Sequence, residues 1–447
     1  MKKIVDKYTI DMLNGPLTKN IIKFALPVAA SSILQQLFKS ADTAIAGKFG
    51  TADALAAVGT NGEIVALVVS LSAGLAVGAN VVIAHLIGAG EKDRISAAVH
   101  TSMLYSLIAG ILLGIAGIIA AEPLLRLINT PENIIGSAVL YLRLYSAGIP
   151  FLMIYDFASA ILRSKGDSRR PLTALMISGI INVLLNILFV VGFDMSVAGV
   201  ALATDISTLI SAWLVVYRLC KEEGEFKFRF SSLRLNKEFL VKINAVGIPA
   251  ALQGAVFCIA NIFIQSAINT FGSEAAAGSA IAMNFEYIAY YVNTAFGQAA
   301  ATFTSQNYAS GNKKRCNRIF TVCLVLGLVF SAVLCGMFTV FRYQASSLFS
   351  SSQTEIRYAC ERIMIILLFQ PICTLYEIPA WTMRGLGYST LPAIETMLGI
   401  CAVRIIWLYT VFAHFKTFDS LFVVFPVTWV ITSVIINVTF MAVKRRI

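Results

Sequence analysis

Charge is scarce in this chain. Of 447 residues only 13% are Asp, Glu, Lys or Arg, while 58% are hydrophobic. Soluble domains carry about 25% charge, so this composition argues against a cytosolic enzyme, and disordered chains are more polar still. Short strands of alternating apolar and polar residues are missing too, which argues against a membrane β-barrel. The eight cysteines form no C-x-x-C pair and lie mostly in apolar blocks, so neither a disulfide framework nor a zinc site is expected. The three histidines, His85, His100 and His414, are scattered rather than clustered as a metal site or catalytic triad requires. No G-x-x-x-x-G-K-[ST] phosphate loop is present, so ATP drive within the chain is not expected. The net charge is +11, but no basic patch is interleaved with base-stacking aromatics, and nucleic acid is not an expected partner.

What is present is apolar block after apolar block, each long enough to cross a bilayer as a helix. Twelve spans are read, at about 20–44, 54–85, 96–120, 138–161, 172–192, 197–217, 242–270, 277–305, 318–341, 358–382, 391–413 and 420–443. The fold class is all-α and polytopic. Of the 35 Lys and Arg, 26 fall on the side of the N-terminus, and seven (Lys48, Arg126, Arg143, Arg342, Arg357, Arg362 and Lys416) on the other. This asymmetry places both termini in the cytoplasm of a multi-pass cell (plasma) membrane protein. The N-terminal MKKIVDKYTIDMLNGPLTKN has no apolar core before a small-residue cleavage site, and is expected to be a cytosolic tail.

The two halves repeat each other. Pro371 lies 221 residues after Pro150, and at that offset Tyr155 meets Tyr376, Asp156 meets Glu377, Arg163 meets Arg384, Gly166 meets Gly387, and Pro171 meets Pro392. Gly90 meets Gly311 and Arg94 meets Arg315. In the first spans Pro27 falls on Pro249 and Gly50 on Gly272, one residue out of step. The expected organisation is an N-lobe at 1–217, a cytoplasmic linker at 218–241 and a C-lobe at 242–447. The linker's alternation of Phe226, Phe228 and Phe230 with Lys227 and Arg229 suits a segment on the membrane surface. Six helices is an even number, so the lobes enter the membrane in the same sense. Parallel repeats of this kind are a transporter trait.

Charged and polar residues inside spans need a reason, because a charge at a helix centre costs about 2.5–3.5 kcal/mol on insertion scales. Ser31, Gln35, Lys39 and Asp42 share one helical stripe, on which Lys39 and Asp42 can pair. Ser178, Asn182 and Asn186 form a second stripe, and Thr204, Thr208 and Ser211 a third, with Asp205 one position round. These point to a hydrated, cation-coupling pocket around Asp42. At the repeat offset Asn182 and Asn186 become Val403 and Trp407, so the charged pocket belongs to the N-lobe alone. Candidates for the substrate cavity are Gln35, Glu63, Asp205, Gln253, Glu286 and Tyr290. Glu286, close to Tyr287, Tyr290 and Tyr291, can draw an organic cation through charge and ring faces. Asp156 and Glu377 are expected to bond loop groups, and the loops at 163–171 and 384–392 to make tight turns. Pro27 and Pro249 each remove a helical hydrogen bond and are hinge candidates. Arg404 lies mid-span with no partner to name.

These segments resemble the multidrug and toxic compound extrusion (MATE) family over nearly the whole chain. The resemblance rests on PVAASSILQQLFKSADTAIAGKFG at 27–50, GLAVGANVVIAHLIGAG at 74–90, ILRSKGDSRRP at 161–171 and QNYASGNKKR at 306–315. It implies a cation-coupled antiporter that exports amphipathic, often cationic compounds by alternating access between lobes; a monomer is expected. Asp42, Asn182 and Thr204 match the DinF-like branch, whose cation site lies in the N-lobe; Asn186 stands where that pattern has Asp. The carboxylates of the other branch would fall near Phe257 and Thr374, and neither position is acidic. Lys39 is a second departure. With one anion fewer and a tethered cation nearby, H+ exchange on an Asp42–Lys39 pair is expected rather than Na+, and no other cofactor. The alternatives are a flippase of a lipid-linked precursor, which calls for cavity Arg and Lys, and a channel.

Overall fold

The computed structural model describes residues 8–49 and 52–446. Gly50 lies outside them, as do the side chains of residues 52, 53 and 446. Among the described residues are twelve long helical segments: α1 (Leu17–Phe49), α2 (Gly62–Ala89), α3 (Lys92–Leu127), α4 (Glu132–Ala147 with Ile149–Ser164), α5 (Arg169–Gly192), α6 (Ser196–Cys220), α7 (Lys237–Asn269), α8 (Ser273–Ala309), α9 (Lys313–Val340), α10 (Gln353–Ile366 with Gln370–Gly385), α11 (Thr390–Phe415) and α12 (Phe418–Arg445). Nine are long and apolar enough to cross a membrane singly, and α4 and α10 do so as bent pairs. The twelfth, α8, is 37 residues long but more polar. The second span departs furthest from its expected limits. A separate short helix, Ala52–Thr60, precedes α2. The break falls at Asn61, whose buried amide donates to the carbonyls of Ala57 (2.8 Å) and Ala138 (3.1 Å).

The repeat is written in the backbone. α4 bends by 43° beside Pro150 and α10 by 42° beside Pro371. Gly90 and Gly311 end α2 and α8 at φ +73° and +79°, and Gly166 and Gly387 follow α4 and α10 at +99° and +94°. In this left-handed region only glycine escapes the Cβ clash. A π-helical stretch, Ile187–Gly192, closes α5, and another, Leu408–Phe412, recurs at the matching place in α11.

The chain divides into two compact units. One comprises Met1–Asp11 and Ala30–Ala251; the other comprises Met12–Ala29 and Leu252–Ile447. The division therefore does not follow a cut at 218–241. The beginning of α1 belongs with α8–α12, and the beginning of α7 with α2–α6. Close packing accounts for the membership. In the first unit a Cβ on Gly78 would fall 2.1 Å from the carbonyl oxygen of Ile243, so these two helices touch through backbone. In the second, Phe24 meets Phe303 edge-on at 5.7 Å, Asn307 donates to the Met12 carbonyl (3.1 Å), and Arg315 to that of Gly15 (2.7 Å).

The linker is folded onto the first unit. Phe228 is buried and stacks on His100 at 5.4 Å, while Phe230 is exposed. Glu222 pairs with Lys165 and Arg170, and Arg170 also pairs with Asp167. Asp167 accepts the backbone N–H groups of Arg169 and Arg170 (both 3.1 Å), which starts α5. Burial raises its carboxyl above the usual range, with the Arg170 charge opposing. The 163–171 segment is thus an ion-pair cluster as well as a turn.

The Gly78 contact leaves no room for a side chain. Gly78→Leu should destabilise the folded protein by about 1–3 kcal/mol, the usual cost of overpacking. Thermal unfolding in detergent should show a lower midpoint; an unchanged midpoint would mean that α2 and α7 are not apposed here.

Candidate functional site

Asp42, on α1, is 7% exposed. Its Oδ1 accepts from Asn186 Nδ2 at 2.6 Å, and its Oδ2 from Thr204 Oγ1 at 3.0 Å. Asn186 also donates to Asn182 Oδ1 at 3.2 Å. Three helices supply these groups. On α5 the two asparagines, four residues apart, share a face. On α6 Thr204 is turned toward α1. The Thr204 hydroxyl has one proton but two acceptors at 3.0 Å, Asp42 Oδ2 and the Val200 carbonyl. Asn186 Oδ1 is buried with no hydrogen-bond partner. The carboxylate is thus ringed by neutral groups whose hydrogen bonds can reverse.

Lys39 is not the partner of Asp42. Its ammonium donates to the Gly62 carbonyl at 3.3 Å, and its charge reaches Glu63. The reason is rotational: Lys39 lies on the exposed side of α1, whereas Asp42 turns inward. Gln35 is also exposed, so the expected stripe is split between two surroundings. Asp205 packs against the bend of α4, where a Cβ on Gly148 would fall 2.0 Å from Asp205 Oδ1. Tyr141 and Tyr145 of α4 stack at 6.2 Å and lie in the fields of both Asp42 and Asp205. Sequence reading passed over these tyrosines. Their i, i+4 spacing in an apolar run was the available signal. Asp156 accepts from Ser72 of α2 at 2.6 Å, a helix partner where a loop partner was expected.

In the second unit the candidates are committed elsewhere. Glu286 is not open to an organic cation, because Arg362 grips it with two bonds, Nε at 2.6 Å and Nη2 at 2.9 Å. Arg362, read from sequence as an outside residue, is only 3% exposed. Tyr290 donates to Glu377 (3.4 Å), which also accepts from Trp381 Nε1 at 2.9 Å. Gln253 accepts from Arg384. Phe257 and Thr374 carry no acid, and Thr374 donates to Asn293 at 3.0 Å. Pro27 and Pro249 lie inside unbroken helices, two residues before the positions where α1 and α7 pass from one unit to the other.

Comparison with known proteins bears on the family and the fold. A probable multidrug resistance protein of Bacillus subtilis, YoeA, is 27% identical over 392 residues, covering 86% of this chain and 84% of its own. A probable multidrug resistance protein of Thermotoga maritima, NorM, is 27% identical over 407 residues, covering 89% and 86%. Among solved structures, a crystal structure of a MATE protein in complex with MaL6 superposes with a TM-score of 0.90 at 21% identity, covering 98% of this chain and 100% of that one. The sequence model of the MatE family matches residues 27–188 and again 249–410, once in each repeat. The chain therefore belongs to the MatE family of transporters, as a multi-pass membrane protein of two six-helix repeats.

Proposed function

We propose that this protein is a proton-driven antiporter that exports amphipathic, often cationic organic compounds across the cell membrane. In this reading it acts as a monomer with both termini in the cytoplasm, and belongs to the branch whose cation site lies in the N-lobe. The observation that carries the proposal is the Asp42 carboxylate, enclosed by Asn186, Asn182 and Thr204 with no fixed cation bonded to it.

The ionised carboxylate accepts from both neighbours. A proton on Oδ2 must instead be donated to Thr204 Oγ1, and Thr204 then gives its own proton to Val200, already within 3.0 Å. A proton on Oδ1 meets the partnerless Asn186 Oδ1 once that amide turns over. Both changes act between α1 and its neighbours α5 and α6, so loading and unloading one proton biases two packings of α1. Sodium would find carboxylate, amide and hydroxyl oxygens here but a single formal anion, since position 186 is Asn. That favours the proton. The Asp42–Lys39 pair expected from sequence has no part in this mechanism. One proton moving through 100 mV supplies about 2.3 kcal/mol, enough for roughly a fiftyfold gradient of an uncharged substrate.

In liposomes loaded with ethidium, a pH gradient should drive efflux by the wild type and a sodium gradient alone should not. Asp42→Asn should reduce the gradient-driven component to background. Full transport by Asp42→Asn, or drive by sodium alone, would overturn the reading.

In this reading Pro27 is the bend point of α1. Pro27→Ala restores the missing backbone donor and should slow turnover several-fold at unchanged ethidium affinity. An unchanged rate would make the proline a packing residue only.

A further inference from the structure

Arg404 has no place in the site described so far. It lies in α11, is 4% exposed, and makes no hydrogen bond or ion pair with any described residue; its Nε is buried and unsatisfied. The other buried guanidiniums of this unit each have a polar side-chain partner, although Arg384 Nε is also unsatisfied. Arg362 holds Glu286, and Arg384 donates to Gln253 and feels the charge of Glu377. Arg404 has only a ring beneath it. Its Cζ lies 3.9 Å from the centroid of Phe425, while that of Arg362 lies 4.7 Å from the centroid of Phe422. The two rings are 6.1 Å apart, so the guanidiniums ride on adjacent aromatic faces. Glu286 is bound to one of them, and its charge only reaches the other. Arg362 Nη1 is itself buried without a partner.

The backbone around Arg404 is shaped as well. It sits in a five-residue α-helical piece, Val403–Trp407, between two π-helical stretches, Met397–Ala402 and Leu408–Phe412. Such stretches are rare and tend to occur at functional sites. The repeat sharpens the comparison. At the 221-residue offset Asn182, Asn186 and Thr204 fall on Val403, Trp407 and Phe425. The turn of helix that carries the amides beside Asp42 in the first repeat thus carries a guanidinium in the second, and the hydroxyl position becomes the ring under it.

An arginine kept inside a bilayer-embedded bundle without a bonded counter-charge is costly. Planar, with five donors, it matches a carboxylate or phosphate bidentately. We propose that Arg404, seated on Phe425 and beside the Arg362–Glu286 pair, is a binding site for one anionic group, a carboxylate or phosphate. This rests on the transport reading in one respect: it extends the substrate class to compounds that carry such a group. Lipid headgroup phosphate offers the same chemistry.

The test is binding without any gradient, so a failure of proton coupling does not touch it. The full chain is placed in phosphatidylcholine nanodiscs and titrated with two probes on the same ring system, 1-naphthoate and 1-naphthylmethylammonium. Arg404→Gln should weaken naphthoate binding by about tenfold or more, as loss of a charged hydrogen-bond donor implies, and leave the ammonium probe unchanged. Arg404→Lys, which keeps the charge and loses the fork, should retain part of the affinity. Phe425→Leu, which leaves the arginine in place, should weaken naphthoate modestly and guards against a misfolded Arg404→Gln. Wild-type naphthoate affinity in both Arg404→Gln and Arg404→Lys, or equal losses for the two probes, would overturn the site. Added phosphatidylglycerol that competes with naphthoate would identify lipid phosphate as an occupant; no competition would assign the site to soluble anions.

Discussion

A bilayer interior supplies no hydrogen bonds, so every polar group carried into it must be answered by the chain itself. That constraint organises this protein. The backbone responds by becoming helix, and the side chains respond in clusters. Asp42 is met by an amide and a hydroxyl, Glu286 by the fork of Arg362, and Glu377 by Trp381 and Tyr290. At the break between Ala52–Thr60 and α2 the Asn61 side chain answers the carbonyls of Ala57 and Ala138. Where an answer is incomplete, as at Asn186 Oδ1 and Arg404 Nε, chemistry has room to act.

The two repeats share a scaffold and differ in what they carry. Bends beside Pro150 and Pro371, left-handed glycines at 90 and 311 and at 166 and 387, and matching π-helical stretches show that backbone form is preserved. Side-chain charge is preserved only in part: Asp156 and Arg163 recur as Glu377 and Arg384, but Asp42 and Arg404 have no charged counterpart. The first repeat buries a carboxylate among neutral groups, and the second buries guanidiniums on phenylalanine rings. A duplicated frame therefore provides two chemically distinct interiors.

Much of this was legible in the sequence, and the rest was not for identifiable reasons. Helix number and repetition follow from apolar run length and the 221-residue offset, both one-dimensional quantities. Asp42, Asn182, Asn186 and Thr204 could be grouped because helical spacing sets the face of each residue, and the structure brings these four together. Lys39 was misjudged because three residues along a helix is also about 60° around it, enough to take a side chain from the interior to the outer surface. Glu286 was misjudged because its partner, Arg362, lies 76 residues away and near a span end, where a lysine or arginine normally reads as a topology marker. The exchange of helix beginnings between the units leaves no trace in composition; it depends on glycine contacts such as that of Gly78 with Ile243.

That exchange bears on synthesis. The unit built around Asp42 includes the stretch up to Ala251 and so stays incomplete until more than half of the chain has left the ribosome. The other unit needs Met12–Ala29, which is made near the start and must wait for α8–α12 to arrive. Each unit includes residues from the other repeat, so a gene cut at the linker would yield two fragments that each lack a piece held by the other.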